Sequence, residues 1–236
     1  MFDVSILMPC LNEERTLKIC VQKAKKWLQK SKIKGEIIVS DNGSEDNSLN
    51  ICREEGVRIV NTNTKGYGSA LINGINHSKS DIVIMADSDN SYDFEELDEF
   101  YYNLKKNNFD LVVGNRFLGK IEKGSMPWKN RYIGNPVLSF IAKIFFSTPI
   151  KDFHCGLRGI NKKSFDNYKF ASTGMEFATE MIAVASLKKL KMLQVPINFF
   201  KDGRDRDPHL NPWRDGWRHL RYIFSMSPKK LLIFPG

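Results

Sequence analysis

Five short, largely apolar runs, each followed by a stretch of different periodicity, restrict this chain to one broad fold class. They fall at residues 4–8, 36–40, 57–61, 82–86 and 110–114. Runs of this length bounded by polar or turn residues read as buried strands rather than helices. The first is followed by Leu17, Val21, Ala24 and Leu28 at helical spacing, which predicts a helix over 12–30. Further helices are expected over 44–55, with Gly56 at the position after the last turn, over a stretch ending near His77, and over 93–106. Strands that alternate with helices pair in parallel through right-handed crossovers. The expected class is therefore α/β, a Rossmann-like and mostly parallel sheet flanked by helices.

The fourth run carries the chemistry. It ends on Asp87-Ser88-Asp89, and on an extended segment residues i and i+2 point to the same side. Both carboxylates can then face one site at the carboxyl end of the strand, where open α/β sheets hold their ligands. Two carboxylates that close repel unless a cation lies between them. Oxygen ligands of this kind suit Mg²⁺ or Mn²⁺, which share their shell with substrate phosphates. The plainer alternative is a solvated acidic turn capping the helix from residue 93. Gly66 and Gly68 follow the third strand, not the first, and no third glycine completes a dinucleotide fingerprint. No phosphate-cradling G-x-x-x-x-G-K-[ST] loop occurs either.

The net charge of +9 is unevenly spread. Residues 1–115 hold 14 Lys/Arg against 18 Asp/Glu, whereas residues 116–163 hold 10 against 2. The basic half should meet something anionic: a phosphate-bearing substrate, a membrane surface or nucleic acid. In a helix expected over 130–147, Ile133, Val137, Phe140, Ile141, Ile144 and Phe145 form one broad apolar stripe, which fits either a core helix or an interfacial one. Arg131, Pro136 and Lys143 interrupt it, so it is not a membrane span. A helix over 174–187 carrying Glu176 and Glu180, and a strand over 192–199, follow. Near the end, Trp213, Trp217, Leu220 and Phe224 run beside Arg214, Arg218 and Arg221, a pairing that suits a membrane interface. No helix-turn-helix or RNA-binding signature accompanies these basic residues, so nucleic acid is not the expected partner. Four cysteines without C-x-x-C or zinc spacing point to reduced thiols, and no secretory signal is expected.

Taken in order, PCLNEE, SDNGSED, KGYGSA, ADSD, GNRF and KDFHCGLRG resemble the motifs of the inverting family-2 glycosyltransferases with the GT-A fold. The similarity runs from about Val4 to Arg206. Within that family the chain looks most like polyprenyl-phosphate sugar synthases of the dolichol-phosphate mannosyltransferase type. The segment Arg131-Tyr132-Ile133-Gly134-Asn135 after a basic loop is similar to the one those enzymes use to hold the lipid phosphate.

The resemblance implies a role at each matching position. Pro9, Leu11 and Glu13 would line the base and ribose of a UDP- or GDP-linked sugar, with Asp41 on the base or ribose edge. Asp87 and Ser88 would sit by the ribose and phosphate, and Asp89, with Asp87, would hold the metal under the diphosphate. Arg204 would neutralise the donor phosphates, and Arg116, Arg131 and Asn135 would hold the acceptor phosphate. Two departures stand out: Ser91 and Tyr92-Asp93 replace the glutamine and the histidine-proline continuation of many dolichol-phosphate mannose synthases, so GDP-mannose is not inherited as the donor. If the acceptor is instead a glycan hydroxyl, a carboxylate must take its proton; Asp152 is the candidate by motif position, with Glu176 and Glu180 in reserve. The implied organisation is a catalytic domain over 1–206, with a nucleotide-sugar half at 1–115 and an acceptor half at 116–206. An amphipathic tail over 207–236 would lie on the cytosolic membrane face. Lys229-Lys230 before the apolar residues 231–236 suggest a chain cut before transmembrane helices.

Overall fold

The computed structural model describes residues 2–204 and 212–227, with the side chains of Pro212 and Trp213 excepted. The expected alternation is present: β1 (Val4–Cys10), α1 (Leu17–Ser31), β2 (Gly35–Asp41), α2 (Ser48–Glu54), β3 (Arg58–Asn61), α3 (Tyr67–His77), β4 (Ile82–Met85), α4 (Asp98–Lys105) and β5 (Leu111–Asn115). The second half adds a π-helical turn (Asn130–Gly134) running into α5 (Asn135–Phe146), then β6 (Arg158–Asn161), α6 (Phe177–Leu187), β7 (Met192–Pro196) and α7 (Pro212–Met226).

The seven strands form one sheet in the order β3-β2-β1-β4-β6-β5-β7. β1, β2, β3 and β4 are mutually parallel, and β5 runs parallel to β7. β6 is antiparallel to both β4 and β5, so the sheet is mixed. Sequence reading did not foresee β6, whose four residues, Arg-Gly-Ile-Asn, carry almost no apolar signal. It completes the sheet by filling the gap between β4 and β5.

The central strands are buried on both faces, with Ile6, Leu7, Met8, Ile38, Val39, Val83, Ile84 and Met85 fully enclosed, as a sheet covered by helices requires. Observed helices start later than the periodicity suggested. Asn12 adopts the left-handed backbone (φ 56°), so the chain turns through 13–16 before α1 begins. That delay leaves a loop, not a helix, over the carboxyl edge of β1.

Two features of the second half bear on function. The stripe expected over 130–147 splits in two. Phe145 and Ile141 pack inward, Ala142 and Phe146 are buried, and Ile133, Val137, Phe140 and Ile144 stay exposed, Phe140 at 64%. Trp128, Tyr132 and Trp217 are exposed as well. α7 packs against α5 and α6, with the Phe145 and Phe224 rings 5.4 Å apart. Among the described residues no helix is long and apolar enough to cross a membrane. All four cysteines are buried and free. The expectations for Trp213's side chain, Arg206 and residues 228–236 lie outside the described residues.

Candidate active site

Parallel pairing brings the carboxyl ends of β1, β2 and β4 to one edge, and the candidate site is built from the loops leaving them. Ser88 is buried and donates from Oγ to the Pro9 carbonyl at 2.7 Å, tying the Asp87–Asp89 turn to the end of β1. Asp89 is buried too. Its Oδ1 accepts from the Ser91 backbone (3.0 Å) and hydroxyl (2.5 Å). Ser91 therefore serves as a clamp on this carboxylate.

The other oxygen, Oδ2, lies 3.2 Å from Arg204 Nη2. Arg204 also pairs with buried Glu13, through Nη2 at 2.8 Å and Nε at 3.0 and 3.1 Å. The segment leading to Arg204 is laced to the same turn: Phe200 N–H donates to the Ser91 carbonyl and Gly203 N–H to the Asp89 carbonyl. Burial alone would weaken the guanidinium's hold on its proton, but Asp89 and Glu13 outweigh that and push its pKa upward. Glu13, Asp89 and Arg204 thus meet from three distant parts of the chain.

Asp87 differs from its neighbour. Its Oδ1 is out of solvent reach and has no hydrogen-bond partner, and Tyr67 stands beside it on the wall of a small cavity. Desolvation and then the charge of Asp89 raise its pKa to about 6, opposed by Tyr67 and Arg204. Two carboxylates, one orphaned and one already facing a cation, have the donor chemistry for a divalent ion that a diphosphate would share. No group of three or more metal-ligating side chains occurs among the described residues.

A cleft of about 420 Å³ opens beside this cluster, lined by Asn12, Glu13, Glu14, Arg15, Thr16, Glu45, Asp46 and Arg204. Pro9 and Leu11 lie at the end of β1 next to it. Asp41 spends its carboxylate on its own turn, accepting from Gly43 N–H at 2.9 Å and Ser44 N–H at 3.1 Å. Gly43 sits at φ 94°, a backbone that an L side chain strains to adopt.

The predicted acceptor residues are not all alike. Arg116 and Asp152 form one buried pair: Nε donates to Oδ2 at 2.9 Å, Nη2 to Oδ1 at 2.8 Å, and the Arg116 backbone N–H adds a third bond at 3.1 Å. Phe199 covers the guanidinium, 5.2 Å from its ring centre. The geometry makes Arg116 a partner of Asp152 where sequence reading gave each a separate task. Arg131 stands on the π-helical turn before α5, over the Tyr132 ring, and Asn135 opens α5, against Met126.

Neither reserve carboxylate pairs with Arg158, which donates instead to the carbonyls of Phe153, Cys155 and Ala178. Glu180 is buried, accepting from Tyr168, Ala171 and Ser172. Glu176 meets Arg218 of α7 at 3.2 Å and keeps its buried Oε2 without a partner. Gly66 and Gly68 have a packing reason. A Cβ at either would stand 2.1 Å from a carbonyl oxygen, of Thr173 or Ser172. That close approach seats Tyr67 against Asp87. Sequence reading missed Tyr67 and His154, which line one cavity with Asp87, and His219, whose ring packs against that of His154.

The profile described as "Glycosyl transferase family 2" matches residues 5–169. The low-salt glycan biosynthesis hexosyltransferase Agl6 of Haloferax volcanii is 34% identical over 233 residues, 99% of this chain and 56% of that protein. The chain therefore spans little more than half the length of this relative. A dolichyl-phosphate hexose transferase of the same organism is 24% identical over 217 residues, covering 91% of this chain and 89% of that one. Among solved structures, glucosyl-3-phosphoglycerate synthase from Mycobacterium tuberculosis, in complex with Mn²⁺, UDP and glucosyl-3-phosphoglycerate, superposes with a TM-score of 0.75. It is 17% identical, and the match covers 96% of this chain and 80% of the synthase, a likeness of fold.

Proposed function

The chain belongs to glycosyltransferase family 2, and from that premise we propose that it moves a sugar from a nucleoside diphosphate to a polyprenyl phosphate at the cytosolic membrane face. The observation that carries this reading is the juxtaposition of Glu13, Asp87, Asp89 and Arg204 at the edge of an open cleft. The dolichyl-phosphate hexose transferase among its relatives supports the acceptor class.

In this reading the cleft between β1 and α2 takes the nucleoside, with Pro9, Leu11, Glu13 and Asp41 around the base and ribose. Asp87 and Asp89 would hold Mg²⁺ or Mn²⁺, and the ion, when bound, neutralises charge on the diphosphate as it leaves. Arg204 serves the same end from the protein side. Breaking the bond from the anomeric carbon to the diphosphate oxygen leaves negative charge there, and a guanidinium fixed in a dry site stabilises it without reorganising. The lipid phosphate attacks from the opposite face and is already anionic, so it needs orientation more than a base. Arg131 and Asn135 supply that orientation, and the exposed Ile133, Val137, Phe140 and Ile144 would enter the lipid surface beside the site. Residues 1–206 act as the catalytic domain, with the 207–236 tail at the membrane.

A hydroxyl acceptor would need a general base. Asp152 is poorly suited, since both its oxygens are taken by Arg116. Glu176, with a free buried oxygen at the start of α6, is the carboxylate that would keep this second reading in play. A screen of UDP- and GDP-sugars, with and without polyprenyl phosphate and reading released nucleoside diphosphate, tests the proposal. Release that depends on the lipid phosphate is expected. Equal release with a glycan alcohol and none with the lipid would overturn the acceptor assignment.

A further inference from the structure

A second, smaller cavity lies behind Asp87, walled by α3, the start of α6 and the loop before β6. Its lining includes Tyr67, Asp87, His154, Gly156, Met175 and Phe177. It leaves about 30 Å³ to the centres of water-sized groups, room for roughly two of them. The polar atoms at this cavity are unusual. Asp87 Oδ1 and both ring nitrogens of His154 are buried with no hydrogen-bond partner. His154 keeps some surface as a residue, but neither nitrogen reaches solvent. Buried polar groups are nearly always paired; a divalent ion on Asp87 would answer for its oxygen, but the two His154 nitrogens at the same small cavity are left calling for a ligand group.

The chemistry of that group follows from the lining. Burial, then the neighbouring His219 ring 4.6 Å away, depress the His154 pKa and keep the imidazole neutral. A neutral imidazole offers one donor and one acceptor, and Asp87 adds an acceptor. The Arg158 guanidinium is turned to three backbone carbonyls. Gly156 is what lets the cavity reach the carboxylate, because a Cβ there would stand 2.6 Å from Asp87 Oδ2. One donor, two acceptors and space for two heavy atoms match a hydroxyl or hydroxymethyl group, and are too small for a sugar ring or an acetamido group.

We propose that this cavity receives a hydroxyl or hydroxymethyl group of the transferred sugar, with His154 as a specificity-determining residue. The inference rests on the donor reading above and adds which part of the donor is recognised. Selection follows from leaving the same buried atoms unpaired when a sugar lacks that group, a penalty that hydrogen-bonding sites exploit.

Calorimetric titration with nucleoside diphosphate alone, with nucleotide hexoses and with their deoxy analogues, all in excess Mn²⁺, tests this. Wild type should bind the preferred nucleotide hexose more tightly than the analogue lacking one hydroxyl by about 10- to 100-fold. His154→Phe, which fills the cavity with an apolar ring, should bind both equally while holding nucleoside diphosphate as wild type does. His154→Asn should recover part of the discrimination. Should His154→Phe misfold, Ala178→Leu narrows the cavity from the opposite wall and should have the same effect. Full discrimination retained in the filled variants would overturn the proposal. Absence of nucleoside diphosphate binding by wild type would overturn the donor reading itself, and this inference with it.

Discussion

Replacing Arg204 with glutamine removes the one cation that the described structure places between Glu13 and Asp89. At 3.2 Å and an effective dielectric constant of about 20, a unit pair is worth roughly 5 kcal/mol before desolvation. Measured costs of removing one partner from a buried pair run to about 3–5 kcal/mol. Arg204 retains 14% of its side-chain surface, so the lower end applies. A loss of about 3 kcal/mol lowers the melting temperature of a chain this size by roughly 6–12 °C. The arginine and a divalent ion compete for the same oxygen of Asp89, so excess Mn²⁺ should raise the melting temperature of Arg204→Gln more than that of wild type. Arg204→Lys should fall between, keeping the charge but not the fork. Thermal melts in chelator and in excess Mn²⁺ measure all of this. If Arg204→Gln melts within about 2 °C of wild type in chelator, the ion pair does not hold the site together. If Asp89→Asn gains as much from Mn²⁺ as wild type, the metal assignment to Asp89 is refuted.

Three further outcomes are expected. Asp152→Asn leaves the Arg116 guanidinium buried without a counter-charge and should lower unfolding stability by about 3 kcal/mol or more in urea titration, whereas Arg131→Ala, at a half-buried arginine stacked on Tyr132, should cost no more than about 1 kcal/mol and raise the KM for lipid phosphate. His219 donates to or accepts from Thr179 Oγ1 at 2.7 Å, and burial depresses its pKa from 6.5 to about 4. The stability it contributes is full above pH 6.5 and is lost as the pH falls toward 4, so wild type minus His219→Gln should show that slope in unfolding measured from pH 7 to pH 4. Flotation with anionic liposomes at low salt should recover wild type, and Phe140→Ser/Trp217→Ala should stay behind; equal recovery of both would remove the exposed apolar face from the membrane assignment.

Much of the structure of residues 1–115 was legible in the chain alone, because local rules decide it. A five-residue apolar run flanked by turn residues becomes a buried strand almost regardless of its partners, and β1, β2, β3, β4 and β5 all formed where expected. Parallel pairing follows from the intervening helices, but the meeting of Asp87 and Asp89 does not follow from extended backbone: β4 ends at Met85, and a bend over residues 88–90, tied to Pro9 through Ser88, sets the two carboxylates. What long-range packing alone decides is different in kind. β6 exists because its neighbours leave a slot, not because Arg158–Asn161 favour a strand. Arg204 meets Glu13 across 191 residues, a distance over which no periodicity carries information. Arg116 and Asp152 look like separate catalytic candidates until burial pairs them, since a lone charge in the core is too costly to leave unpaired. The apolar stripe over 130–147 fitted core and surface equally well. Only the docking of α7 against α5 and α6 settled which side chains found partners and which, such as Phe140, remained outside. Sequence patterns report what a segment would bury, and which surface is left to bury it against is a property of the assembled fold.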